Sequence, residues 1–332
     1  MTVNSREKRA RRQGLAALAA TLLVAACGGS GEQSSHFHAT RVVAFGDESS
    51  LIVDLRGDAN GNKYSVNATV STTDPTVVCS LNVVWSQNVA LSYGLVFPEC
   101  NPPGAAAVVA PVSRIRAAFG ARAADLAAQI DAQQAESPLR AGDMVTVLVG
   151  MHDVLAEYRK YPAIGVDQLI ANVEAEGAEV GRQVTRITDT GAKVLLSTII
   201  DVGYSPFATA ERQAHADTDR AILLSQLSQR FNASMRATIV NDGRKIGLML
   251  LDELTVQVFK FPGFQGFTNP YSGVCDLTKS ALTPPSILDC TEQTLVTGGS
   301  QAFFWADDLH LSASAQNFFG GAAITRSQNN PF

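Results

Sequence analysis

Two short stretches near opposite ends of the chain carry residues that could do nucleophilic chemistry together. The first is Val42-Val43-Ala44-Phe45-Gly46-Asp47-Glu48-Ser49-Ser50. Four apolar residues run straight into Gly-Asp, which reads as a buried parallel strand ending in a tight polar turn. Open α/β sheets place their chemistry just beyond the C-terminal ends of such strands. Ser49, and after it Ser50, are therefore nucleophile candidates, set against the plain alternative of a turn and helix cap. The second stretch is Phe303-Phe304-Trp305-Ala306-Asp307-Asp308-Leu309-His310. An Asp three residues before a His puts both side chains on one side of a turn. The carboxylate can then orient the imidazole and favour its charged form. The plain alternative here is that Asp308 or Ser312 caps the helix that follows.

The elements that must position these groups alternate between strand and helix. Strands are expected at Val42–Phe45, Met144–Gly150, Ala192–Ile200 and Ile246–Leu251. Helical spacing marks Val83–Leu91, a segment opening at Gly120-Ala121-Arg122, Ile164–Thr188, Ala208–Ile239 (one helix or two) and Ser312–Ile324. No hairpin signal is visible. The pattern predicts an α/β fold, a doubly wound parallel sheet with helices on both faces. Asp58-Ala59-Asn60-Gly61-Asn62 reads as a turn cluster.

Four stretches together resemble the GDSL or SGNH hydrolases, a family of lipases and esterases. Phe45-Gly46-Asp47 resembles the start of that family's first block. Ala118-Phe119-Gly120-Ala121-Arg122 resembles the second, Val149-Gly150-Met151-His152-Asp153 the third, and Asp307-Asp308-Leu309-His310 the fifth, Asp-x-x-His. Their order covers residues 42 to about 325. The resemblance implies a three-layer α/β/α, flavodoxin-like fold with a central parallel sheet, and hydrolysis of carboxylic esters. His310 would be the general base oriented by Asp307, and Gly120 would lend an N–H to the oxyanion hole. Two positions depart from the family. Glu48 stands where relatives carry Ser directly after Phe-Gly-Asp, and His152 stands where they carry Asn.

Three readings follow. In the first, a one-residue insertion places Ser49 as nucleophile, the oxyanion meets the N–H groups of Ser49 and Gly120, and His152 supplies the side-chain donor. In the second, the chain is a non-catalytic binding or structural protein on the same scaffold. In the third, Glu48, His152, Asp307 and His310 face one crevice and hold a divalent metal. The first two readings require no cofactor and no metal. The expected ligand is a small-molecule or lipid ester.

The chain has 332 residues, 46% hydrophobic and 17% charged, with net charge -5. Without basic-aromatic interleaving, nucleic acid is not an expected partner. Arg6, Lys8, Arg9, Arg11 and Arg12 precede a short apolar run that ends in Val24-Ala25-Ala26-Cys27. Small residues before a cysteine resemble a bacterial lipobox, which implies cleavage before Cys27 and a lipid on its thiol. Gly29 after it resembles an outer-membrane sorting signal. The expected organisation is a leader over 1–27, a flexible tether over 28–39 and one domain over 40–332, exported and lipid-anchored to a membrane. His36 and His38 read as tether residues. Without the leader, 21 basic residues face 30 acidic ones, so charge is not expected to reinforce the anchor. Cys79, Cys100, Cys275 and Cys290 remain, and proximity in an oxidising compartment favours the pairs Cys79–Cys100 and Cys275–Cys290.

Overall fold

The structure is a computed structural model, and it describes residues 37–332. Cys27, the lipobox, His36 and the tether up to it lie outside the described residues. Phe37 and His38, expected in the tether, instead pack on the domain. The Phe37 ring lies 6.4 Å from Tyr93 and 5.8 Å from Phe332, and His38 lies 5.5 Å from Tyr93.

The central sheet has five parallel strands. In chain order they are β1 (Arg41–Gly46), β4 (Arg114–Ile115), β5 (Asp143–Leu148), β6 (Lys193–Ser197) and β7 (Ile246–Met249). Their spatial order is β4-β1-β5-β6-β7. Counting only these five, that is order 2-1-3-4-5, the flavodoxin-like arrangement, in which the crevice opens beside the first strand where the winding reverses. β1 lies between β4 and β5 and is covered by helices, so Val42 to Phe45 are fully buried. This burial is why its sequence is a continuous apolar run rather than an alternating one.

Helices flank the sheet. They are α1 (Trp85–Ser92), α2 (Leu126–Glu136), α3 (Met151–Tyr158), α4 (Val166–Thr188), α5 (Pro206–Ala214), α6 (Arg220–Thr238), α7 (Leu251–Lys260) and α8 (Ala313–Asn329). α4 packs on α6, and α1 packs on α8 through Trp85 and Phe319, whose rings are 5.0 Å apart. The expected Ala208–Ile239 helix is two, because Asp219 caps a new helix by accepting the N–H groups of Ala221 and Ile222. The second expected strand ends at Leu148, since Gly150 takes φ 129° and turns the chain into α3.

Two features differ from the sequence expectation. β4 is two residues long, below the length at which periodicity signals a strand. A hairpin is present after all: β2 (Ile52–Val53) pairs antiparallel with β3 (Asn62–Lys63) across the Asp58–Asn62 turn cluster. A further short pair, β8 (Asn269–Gly273) and β9 (Phe303–Trp305), brings the chain to the Asp307 turn.

Both disulfides join the expected partners, Cys79–Cys100 and Cys275–Cys290. The second buttresses the site, because the Cys275 N–H donates to the carbonyl of Ala306, 2.8 Å away and next to Asp307. Replacing both Cys275 and Cys290 by serine is expected to cost about 3 kcal/mol, the chain-entropy value for a loop of this size. The urea midpoint of the double variant measures it, and an unchanged midpoint refutes it.

Candidate active site

Glu48 opens a single 3-10 turn, Glu48–Ser50, at the C-terminal end of β1. Asp47 caps that turn by accepting the N–H of Ser49 at 3.0 Å, and its own N–H donates to the Leu148 carbonyl. The turn is thus strapped to β5, and Glu48 is fully buried.

Its carboxylate is the centre of the site. Oε2 accepts the Gly120 N–H at 2.9 Å. Oε1 lies 2.6 Å from Nε2 of His152 and 3.1 Å from Nε2 of His310. On the far side of His310, Nδ1 sits 2.9 and 2.8 Å from the two Asp307 oxygens. Asp307 also accepts the N–H groups of Leu309 and His310, which sets the turn in place before α8. Gly120 takes φ 72° with open space around it, so glycine there serves the backbone turn. His152 is the second residue of α3, and its neighbour Asp153 accepts the N–H of Ala123, tying α3 to the Gly120 loop.

Both ring nitrogens of His310 face carboxylate oxygens, which only accept, so both must carry hydrogen. The charges agree. Burial pulls the His310 pKa down, but Asp307 and then Glu48 outweigh it and push it up to about 10. Burial raises the Glu48 pKa, yet the hydrogen bonds and charges of His152 and His310 bring it far below the usual carboxylate range. His152 is raised by Glu48 despite burial, and Asp307 is lowered by His310 despite burial. Asp47, buried beside Glu48, is pushed up to about 7. At neutral pH His310 is an imidazolium between the carboxylates of Asp307 and Glu48, and Glu48 biases His152 toward its charged form.

Of the expected site residues, Glu48, Gly120, His152, Asp307 and His310 come together. Ser49 and Ser50 do not join them. The Ser50 hydroxyl accepts the indole N–H of Trp85 at 2.9 Å and is buried. Ser49 lines a small apolar cavity with Trp85, Leu309, Leu311 and Phe319, and its hydroxyl makes no hydrogen bond to His310. The Ser49 N–H, expected to serve the oxyanion, is committed to Asp47. The residue facing the imidazole is Glu48. Among the described residues no group of three His, Cys, Asp or Glu side chains is arranged to hold a metal; the four polar groups satisfy one another instead.

Two aromatic residues that the sequence did not mark for this role wall the site. Tyr64 stacks on Phe119 with centroids 5.1 Å apart and lies 5.8 Å from His310, while Phe119 meets His152 edge-on at 6.2 Å. Phe119 is 64% exposed. Its place beside Gly120 was the available signal; Tyr64 had none, because its position depends on the hairpin.

The ion network gives an alkaline prediction. His310 has a folded pKa raised from 6.5 to about 10. Its stabilising contribution is complete below the unfolded value and is lost as pH rises through the folded one. Stability is therefore expected to fall by a few kcal/mol between neutral pH and about pH 10. Denaturant unfolding should show that limb in the natural chain and a flattened one in His310→Gln. Parallel profiles would refute it.

No family model matches the chain, and no curated protein does. Solved structures similar to it include the acetyl xylan esterase AlAXEase, at 11% identity and TM-score 0.40 over 86% of this chain and 98% of that one. The acetylxylan esterase Axe2 from Geobacillus stearothermophilus is similar at 11% identity and TM-score 0.40, over 88% of this chain and 96% of that one. A Bacillus subtilis protein, YXIM, is similar at 11% identity and TM-score 0.36, over 87% of this chain and 56% of that one. The fold rests on the five-stranded parallel sheet itself.

Proposed function

We propose that the chain is a membrane-tethered, esterase-type domain that binds an ester ligand in the Tyr64–Phe119 crevice and, with Glu48 in place, does not hydrolyse it. One observation carries this reading: the Glu48 carboxylate takes the Gly120 N–H, His152 and His310 all at once. Those are the donors and the base that a serine hydrolase needs free. In atom order, Cβ-Cγ-Cδ(=O)-O of glutamate repeats the Cβ-O-C(=O)-R skeleton of an acylated serine. Cγ stands for the serine oxygen, Cδ for the acyl carbon and Oε2 for the oxyanion. Glu48 is thus a permanent stand-in for the acyl-enzyme, with no bond that water can break. The tether rests on the Val24-Ala25-Ala26-Cys27 sequence, with lipid expected on Cys27. A small or acyl ester suits the apolar wall.

The test is turnover of short-chain p-nitrophenyl esters by the natural protein, with a fluorophosphonate probe and mapping of any labelled residue. The expected result is no turnover above buffer, no labelled serine and no change in Ser49→Ala. The serine-hydrolase reading, with Ser49 as nucleophile, His310 as base and Asp307 orienting it, makes the opposite prediction. Labelling of Ser49 together with turnover abolished in Ser49→Ala would establish it and overturn the proposal.

A further inference from the structure

The two ends of the sheet carry different sets of charged groups. All five central strands run the same way, so the sheet has a strand-start end and a strand-finish end. The finish end holds Glu48, Asp153, Asp201, Asp252, Asp307 and Asp308, in the crevice and the turns beside it, with His152 and His310 paired to Glu48 and Arg122 near Asp153. The start end holds the turns that lead into β5, β6 and β7. There stand Arg140, Lys193, Arg244 and Lys245, none of them buried. Arg236 and Arg326 join them from the last turns of α6 and α8. The acidic groups at this end are Asp143, Asp189, Asp242 and Glu136; Arg41 holds the buried Asp143 with Arg140 3.9 Å from it, Arg244 holds Asp242, and Arg114 and Arg116 hold Glu136. The helix dipole accounts for arginine in a last helical turn. It does not account for Arg140, Arg244 and Lys245 in the loops or for Lys193 at the start of β6.

The chain comes into the domain at this same end. Phe37 rests on Phe332, and Phe332 in turn lies against Gly247 at the beginning of β7. Cys27 stands close before this point in sequence, and the stretch Gly28–His36 spans at most roughly 30 Å when fully extended.

We infer that the strand-start end is a docking surface for an anionic lipid bilayer, with the crevice turned away from it. The inference rests on the proposed lipid at Cys27. Basic groups near anionic headgroups are attracted, and the attraction dies within about 10 Å, so it acts only on a face held at the membrane. The net negative charge of the chain argues against such attraction only while the charges are taken as evenly spread. β1 lifts Glu48 about 20 Å above the strand-start end. The ester that reaches the crevice is therefore water-borne or polymer-borne, rather than a lipid of the anchoring leaflet.

The test places the lipidated full-length mature protein in vesicles of phosphatidylcholine, with and without phosphatidylglycerol. A fluorophore is attached at Asn241→Cys, in the turn before β7, or at Phe119→Cys, at the crevice rim; both positions are exposed. A headgroup quencher reads their distance from the bilayer. Quenching at position 241 is expected to rise with phosphatidylglycerol and fall with salt, while position 119 stays unquenched. Reversing Arg236, Lys245 and Arg326 to glutamate should lower the docked-to-free ratio by roughly fivefold per charge, with folding checked by circular dichroism. A lipidated chain quenched equally at both positions, or indifferent to phosphatidylglycerol and salt, overturns the orientation alone. A Cys27 without lipid in a chain that stays off both vesicle types overturns the anchor and the orientation together.

Discussion

If Glu48 holds the site off as proposed, Glu48→Ser is expected to give a working esterase. Removing the carboxylate frees the Gly120 N–H and the Nε2 atoms of His152 and His310. His310 keeps Asp307 on its other nitrogen, so its orientation survives while the charge that most directly opposed deprotonation at Nε2 is gone. A serine side chain is two atoms shorter than glutamate, and the vacated space is where an acyl carbon and its oxygen would sit. Short-ester turnover should rise by roughly a thousandfold over the natural protein, the scale of what a restored triad adds. The fluorophosphonate label should appear at position 48. The same change removes three hydrogen bonds to a buried charge, so a stability loss of about 1–3 kcal/mol should accompany the gain. Glu48→Gln separates the two effects: it keeps the shape, loses the charge, and should destabilise without creating activity. A folded Glu48→Ser protein that neither hydrolyses nor labels would show that Glu48 is not what holds the site off.

Gly46→Ala is expected to cost about 4 kcal/mol or more and to abolish the arrangement around Glu48. Gly46 has φ 122°, and a Cβ there would lie 1.8 Å from the carbonyl oxygen of Leu148. That oxygen belongs to the neighbouring central strand and accepts the Asp47 N–H, so it has no room to withdraw. Relief requires β1 to separate from β5 at the one place where the Glu48 turn begins. Chemical denaturation measures the loss, and loss of the raised His310 pKa, followed by NMR titration, reports the site. A variant of unchanged stability would refute the account. Gly120→Ala should be milder, because only its φ of 72° opposes a side chain.

Much of the fold was legible in the sequence, because a central strand covered on both faces must be apolar throughout, and that pattern is local. Val42–Phe45, Met144–Leu148, Lys193–Ser197 and Ile246–Met249 announced themselves this way. So did the Asp-x-x-His turn, whose two partners are three residues apart, and the disulfides, whose partners are near in sequence. The elements without such signals were missed: β4 is two residues long, the β2–β3 pair is held mostly by its turn, and Tyr64 reaches the site only through that pair.

Which residue of Glu48-Ser49-Ser50 faces His310 was beyond the sequence. Successive residues of a 3-10 turn point about 120° apart. A shift of one position therefore exchanges a hydroxyl in the crevice for a carboxylate, and the one serine for the cavity behind it. Which way the turn points is decided by Gly46 against Leu148, by Asp47 capping Ser49 and by Trp85 claiming Ser50, contacts with partners up to about a hundred residues away. The sequence, through its resemblance to a hydrolase family, brought His152, the Asp307–His310 pair and the Gly120 loop to the end of β1. Only the tertiary structure decided that the Glu48 carboxylate is the group that meets Gly120, His152 and His310, because side-chain direction at a turn is set by what packs behind it.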